Sequence, residues 1–223
     1  MKRIRLLIGR ALRLLPLAMM AAGALWLLLS GTEISVQSLL DYTPGDALQA
    51  TLFLWLVFAV KSMSLMVPVL LIFAVTGILF PLPVALLINT VGISITVSLP
   101  YLVGRLSGPD LTVRLAAKYP RMKELRALRG ENSFFFSFIV RAIGILPCDV
   151  VSLYMGNTRL PYAPYITGAV LGFMPDLICA TVVGMELEDT SSPWFWGAIG
   201  VNIALVIAAF FFYRAYRKKH SSE

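Results

Sequence analysis

The sequence is poor in charge, cysteine and histidine, and each shortage narrows the class of protein. Only 14% of the 223 residues are charged, whereas soluble domains carry about 25%. The two cysteines, Cys148 and Cys179, form no CxxC pair, so we interpret them as buried small side chains rather than a disulfide or a metal site. The single histidine, His220, lies in the charged tail, where we expect it to be solvated and inert.

Catalytic and strand-like patterns are also missing. The chain has no HExxH motif and no Ser/His or paired-Asp constellation, so we expect neither an enzyme nor a bound metal or cofactor. Short alternating segments and an aromatic-interleaved basic groove are absent too, which argues against a β-barrel and against nucleic acid as a partner. Hydrophobic residues make up 58% of the chain in long runs. The predicted fold class is therefore an all-α integral membrane protein.

The charged residues indicate which segments face the cytoplasm and which lie outside. Basic residues load the two termini and the segment 107–131, while acidic residues mark two intervening loops. Because basic loops face the cytoplasm, we expect both termini inside, without a cleaved signal peptide. Residues 31–50 are predicted to be an outside loop with a turn at Thr43-Pro44-Gly45-Asp46. Four spanning helices are predicted, at 12–30, 83–106, 161–184 and 193–213.

The two apolar blocks between these charges are too long for one helix each. Residues 51–106 must begin outside and end inside, and residues 132–184 must do the reverse. Each block has room for one crossing of about 20 residues, with too little left for two more. We therefore predict a re-entrant hairpin in each block, at 51–80 and 133–158.

The two blocks share the spacing of a proline, a glycine and a cation. Gly77 follows Pro68 at the same distance at which Gly156 follows Pro147, and a cation precedes each proline by six or seven residues. Opposite orientation with shared spacing predicts an inverted repeat, with a substrate site at the interface of the two halves. The alternative is coincidence, because glycine and proline are common in membrane helices. A basic amphipathic helix on an anionic leaflet, or an ordinary basic loop, joins the blocks at 107–131.

One stretch, Ser133–Gly156, carries charges inside apolar sequence. A charge at the bilayer centre costs at least about 2.5–3.5 kcal/mol, so Arg141 and Asp149 need a partner or a polar cavity. Pro147 lies between them and interrupts a straight helix. We hypothesise that both charges belong to a functional site. The alternative is an Arg141–Asp149 pair that only holds the hairpin together.

The same stretch matches a known family pattern. Its motif is Phe138-x2-Arg141-x5-Pro147-x-Asp149-x6-Gly156, and it is accompanied by the residues Pro68, Gly77, Gly92, Tyr101, Gly104, Arg105, Gly108, Gly168, Gly172 and Pro175. On these residues the chain resembles the DedA superfamily, also called the VTT-domain or SNARE-associated Golgi protein family, over roughly 50–185. The resemblance implies two facing re-entrant hairpins and movement of lipids between leaflets, with proton coupling in some members. The chain departs from bacterial members with an acidic pair in the first hairpin, because 51–80 contains Lys61 and no acid.

These arguments give a predicted function and site. We expect three parts, 1–50, the family-like domain 51–185 and 186–223, in a bacterial inner-membrane protein. Its partners are anionic or polyprenyl-phosphate lipids, moved between leaflets, and it is a possible homo-oligomer. The predicted substrate-binding residues are Arg141, Asp149, Lys61, Arg105 and Asp176, and the predicted hinge residues are Pro68, Gly77, Pro147, Gly156 and Pro175. A scaffold or assembly factor and a proton-coupled solute transporter remain alternatives.

Overall fold

The described part of the chain is built from α-helices. The computed structural model describes residues 36–62, 68–108, 110–119, 132–144, 146–187, 191–204 and 207. The helices are α1 (Val36–Tyr42), α2 (Ala47–Lys61), α3 (Val69–Leu79), α4 (Leu82–Leu106), α5 (Asp110–Lys118), α6 (Ser133–Ile143), α7 (Cys148–Asn157), α8 (Tyr162–Met185) and α9 (193–204). No strand occurs among these residues.

Local sequence sets most of the helix boundaries. Four helices, α3, α4, α7 and α8, begin directly after a proline, whose fixed φ and missing N–H suit a helix start. The first helix of each half begins with a polar cap instead. Asp46 accepts a hydrogen bond from the amide of Gln49, and Asn132 accepts from the amides of Phe134 and Phe135. These caps satisfy amides that have no partner within the helix.

The predicted long helices are confirmed as helices. Leu82–Leu106 and Tyr162–Met185 are the two described helices that are long and apolar enough to cross a membrane. The predicted helix 12–30 and the end of 193–213 lie outside the described residues, as does His220. Each predicted hairpin consists of two short helices, α2 and α3 in the first half and α6 and α7 in the second.

Two expectations need correction. Residues 31–50 are not simply a loop, because α1 lies within them and α2 begins at Ala47. The chain bends at Thr43, Gly45 and Asp46 between the two helices, where the sequence predicts the turn. In the joining segment, Leu115 of α5 is buried against the other helices, so the apolar face of this helix packs on protein rather than lying free for a leaflet.

Glycines let each long helix pack closely on the last short helix of the other half. A Cβ at Gly77 in α3 would overlap the carbonyl of Thr181 in α8, and one at Gly184 would overlap the carbonyl of Ala74. In the second half, Gly156 of α7 lies in the same way against Tyr101 of α4.

The fourth such contact is made by Gly104 of α4, which lies against the carbonyl of Leu153 in α7. The four contacts form two equivalent pairs, because each contact made by a glycine of one half has a counterpart in the other half. Such close backbone approach is typical of helices packed through small residues.

Candidate functional site

An ion pair joins the two halves at the ends of their short helices. Nζ of Lys61, the last residue of α2, lies 3.0 and 3.2 Å from the carboxylate oxygens of Asp149 in the first turn of α7. Lys61 is 4% exposed and Asp149 is 7% exposed. Each charge has the sign that its helix end favours, because cations stabilise C-termini and anions stabilise N-termini.

The thiol of Cys148 is a third member of this contact. Its Sγ lies 3.2 Å from Nζ of Lys61 and 3.3 Å from a carboxylate oxygen of Asp149. The residue is half-buried and forms no disulfide. The interpretation of Cys148 as a buried small hydrophobic side chain is therefore wrong, because the residue is half-buried and its thiol contacts both members of the ion pair. Cys179 is buried and also free.

Arg141 lies beside this contact with neutral partners. Its Nη1 donates to the carbonyl of Cys148 at 2.7 Å, and its Nη2 donates to the hydroxyl of Ser152 at 2.7 Å and of Tyr165 at 3.4 Å. The guanidinium lies 5.5 Å from the ring centroid of Phe173. Arg141 is 6% exposed, and its Nε has no hydrogen-bond partner in the described part of the chain.

The hypothesis of an Arg141–Asp149 pair is wrong in this geometry. Asp149 pairs with Lys61 of the other half, while Arg141 binds the carbonyl of Cys148 and the hydroxyl of Ser152. The reason is helical geometry. Successive residues point about 100° apart around a helix, so Asp149 leaves the face of α7 that residues 148 and 152 share.

The sequence model of the VTT domain matches residues 67–186. The chain belongs to the VTT domain family. This is the domain of the DedA/SNARE-associated Golgi protein family, so the resemblance drawn from the motif around Arg141 is confirmed. No curated protein and no solved structure matches the chain. The VTT domain family is membrane-associated and is generally not a family of classical enzymes.

Two predicted site residues of this VTT domain lie away from the ion pair. Arg105 is exposed at the end of α4, where its Nη1 donates to the hydroxyl of Tyr101 at 2.7 Å. Asp176 of α8 is half-buried and accepts a hydrogen bond from Nδ2 of Asn202 at 3.0 Å. Neither side chain contacts Lys61 or Arg141 in the described structure, so the site predicted from five residues contains three of them.

Two of the four asparagines, Asn89 and Asn202, serve helix packing, as their place in apolar sequence suggests. Asn89 of α4 donates to the hydroxyl of Thr181 in α8 at 2.9 Å. Asn202 joins α9 to α8 through Asp176. Among the described residues, no three metal-ligating side chains lie close enough together to hold a metal ion.

The predicted hinge residues lie at helix ends, with one exception. Pro68 and Pro147 precede α3 and α7, and Gly77 and Gly156 lie near the ends of the same two helices. Pro175 is inside α8, which continues through it.

The sequence did not point to Ser152 or Tyr165, which hold Arg141. A signal existed for Ser152, because it lies one helical turn after Cys148. None existed for Tyr165, which reaches Arg141 from α8 and also donates to the carbonyl of Val97 in α4 at 2.8 Å. Gly144, with a positive φ of 64°, ends α6 and was also missed as the point where the helix stops.

Proposed function

We propose that this VTT domain protein moves phosphate-headed lipids between the two leaflets of a membrane and that Arg141 holds the phosphate. The observation that carries the proposal is an imbalance of buried charge. Among the described residues, Lys61 and Arg141 bring two positive charges to the cluster and Asp149 brings one negative charge. A buried charge without a counter-charge is unfavourable, and a phosphate group would supply the missing one.

The free side of Arg141 suits such a group. Its described partners are a carbonyl and two hydroxyls, all of them neutral, and Nε has no described partner. A buried donor without a partner costs about 1–3 kcal/mol. A guanidinium can donate two parallel hydrogen bonds to one phosphate, which is why arginine is favoured over lysine for this ligand.

The lengths of the helices support a site at mid-depth. At 1.5 Å per residue, α4 and α8 are about 36–38 Å long, and a bilayer core of about 30 Å is within their reach. The hairpin helices α2, α3, α6 and α7 are about 15–22 Å long. In the proposed arrangement they are re-entrant, and the two halves form an inverted repeat. The equivalent glycine contacts support this arrangement.

In the proposed transport cycle, the contact that opens and closes is the Lys61–Asp149 pair. The pair joins the hairpins of the two halves and is more than nine-tenths buried, so a headgroup reaches Arg141 only when the hairpins separate. A phosphate at Arg141 competes with Asp149 for the ammonium of Lys61. The same proposal includes both termini in the cytoplasm of a bacterial cell and an anionic or polyprenyl-phosphate lipid as substrate.

Leaflet exchange in proteoliposomes tests this function. The measurement compares an anionic phosphate-headed lipid with a neutral lipid of the same chains, in vesicles with and without a proton gradient. Selective exchange of the anionic lipid that is lost in Arg141→Gln is the expected result. Exchange that requires the gradient would favour proton-coupled transport, and no exchange of any lipid by folded protein would favour a scaffold or assembly factor.

A further inference from the structure

The turn after α7 contains an arginine in a conformation that usually belongs to glycine. The amide of Leu160 donates to the carbonyl of Met155 at 3.1 Å. The amide of Arg159 donates to the carbonyl of Gly156 at 3.0 Å. This pair of bonds is the Schellman closure, whose left-handed position is most often glycine. Here Arg159 occupies it with a φ of 55°, and it is the one non-glycine residue with positive φ among those described.

The turn also brings Arg159 next to Arg105. The hydroxyl of Tyr101 accepts from Nη1 of Arg105 at 2.7 Å and donates to the carbonyl of Leu160, the residue after Arg159. The backbone is equally close, since a Cβ at Gly156 would lie 3.0 Å from the amide nitrogen of Arg105. The ends of α4 and α7 therefore meet, and Arg159 is one residue away from the carbonyl that shares the hydroxyl of Tyr101 with Arg105.

Both arginines are exposed, and neither forms an ion pair within the described part of the chain. Arg159 also adds backbone strain, because glycine is the residue that adopts the left-handed conformation without a steric cost. The preference for basic residues in cytoplasmic loops accounts for arginines at this end of the molecule. It does not account for one at the left-handed position, because a neighbouring position would serve that preference equally well.

We propose that Arg105 and Arg159 form a phosphate-binding site at the membrane surface, separate from Arg141, which takes the headgroup of an anionic lipid. A bound phosphate would supply a counter-charge and accept hydrogen bonds from both guanidinium groups. The hydroxyl of Tyr101 holds one nitrogen of the Arg105 guanidinium, so the other donors of Arg105 remain available. The lipid assignment rests on the proposed transport, in which this site is the first contact of the headgroup.

The test measures binding to the full-length protein in a neutral detergent, where no transport takes place. The probes are short-chain phosphatidic acid, inorganic phosphate and a short-chain diacylglycerol of the same chains. Arg159→Gly removes the cation and relieves the strain, Arg159→Lys keeps the charge, and Lys118→Gln removes an exposed cation elsewhere. All variants are also made in an Arg141→Gln background, so that binding at the two sites is separated.

We expect opposite changes in stability and affinity for Arg159→Gly. Its unfolding midpoint without ligand should rise by about 2–4 °C, while its affinity for phosphatidic acid should fall by about tenfold or more. Arg105→Gln should weaken binding by a similar factor. Arg159→Lys and Lys118→Gln should bind within a few-fold of the parent protein, and diacylglycerol should not bind.

An Arg159→Gly variant that binds phosphatidic acid as tightly as the parent would overturn the site. Binding of inorganic phosphate as tight as that of phosphatidic acid, and equally dependent on Arg159, would keep the phosphate site and refute its assignment to a lipid. Arg159-dependent binding without leaflet exchange would refute the proposed transport and leave the phosphate site standing.

Discussion

The two halves of the domain have the same helices but different polar groups. In the first half, helices of 15, 11 and 25 residues follow one another, and in the second half helices of 11, 10 and 24 residues do. Their glycines make equivalent contacts. The equivalent glycines Gly77 and Gly156 are 79 residues apart. By the same offset, however, Asp149 corresponds to Leu70 and Ser152 corresponds to Phe73. Among the side chains that the structure describes, the first half contributes only Lys61 to the cluster.

This difference separates two kinds of constraint. Packing of helices against helices needs small residues and apolar side chains, and these can be repeated in both halves without penalty. A buried charge is costly unless it is paired, so a second set of charges would burden the interior further. One polar cluster, built mainly by the second half and completed by one lysine of the first, is sufficient for a single site.

The largest effect should come from breaking the Lys61–Asp149 pair, the one ion pair in the described part of the chain. Asp149→Leu leaves Lys61 buried without its partner, and we expect a loss of about 3–5 kcal/mol in the free energy of unfolding. Replacing both residues, in Lys61→Met/Asp149→Leu, should restore most of the loss, because an apolar pair of similar size removes the unpaired charge. Thermal unfolding in detergent measures both. A double variant as unstable as the single one would show that the pair is not coupled.

The glycine contacts should respond equally in the two halves. Gly77→Ala and Gly156→Ala each place a methyl group against the backbone of a long helix, and overpacking of this kind costs about 1–3 kcal/mol. Gly197→Ala is the matched control, because a Cβ there would have no heavy atom within 4 Å. Unfolding midpoints of the three variants test the symmetry, which fails if only one half is sensitive.

Exchanging the two cation types should affect the halves unequally. Arg141→Lys keeps the charge but loses the planar donor group, so we expect leaflet exchange of the anionic lipid to fall about tenfold. Its loss of stability should be limited to about 1 kcal/mol, the value of a typical hydrogen bond. Lys61→Arg should be mild in the same assay. Wild-type exchange by Arg141→Lys would rule out bidentate phosphate binding.

The smallest effect should come from Asp176, which the sequence suggested as a site residue. Asp176→Asn keeps an acceptor for Asn202, so we expect a loss of at most about 1 kcal/mol and no change in leaflet exchange. Asn202→Ala in the same preparation is the control for the lost hydrogen bond. A strong transport defect in Asp176→Asn with intact stability would return this residue to the site.

Much of the helical architecture follows from the sequence alone. Four helices begin directly after a proline, namely Pro68, Pro81, Pro147 or Pro161. These starts can be predicted because proline acts through its own ring, without help from distant residues. The unbroken apolar runs give the lengths of α4 and α8 in the same local way. Helix α1 was missed because its seven residues are too few for a periodic pattern to be distinguished from a loop.

The site could be predicted only in part. Charges in apolar sequence identified Arg141 and Asp149 as residues that need a partner, because desolvation is costly wherever the chain folds. The spacing before Pro68 added Lys61 as the cation of the first half. Which partner each one takes depends on the direction of its side chain around a helix and on which helices of the two halves meet. Only the tertiary structure decides these two things, and it pairs Asp149 with Lys61 and surrounds Arg141 with Ser152 and Tyr165.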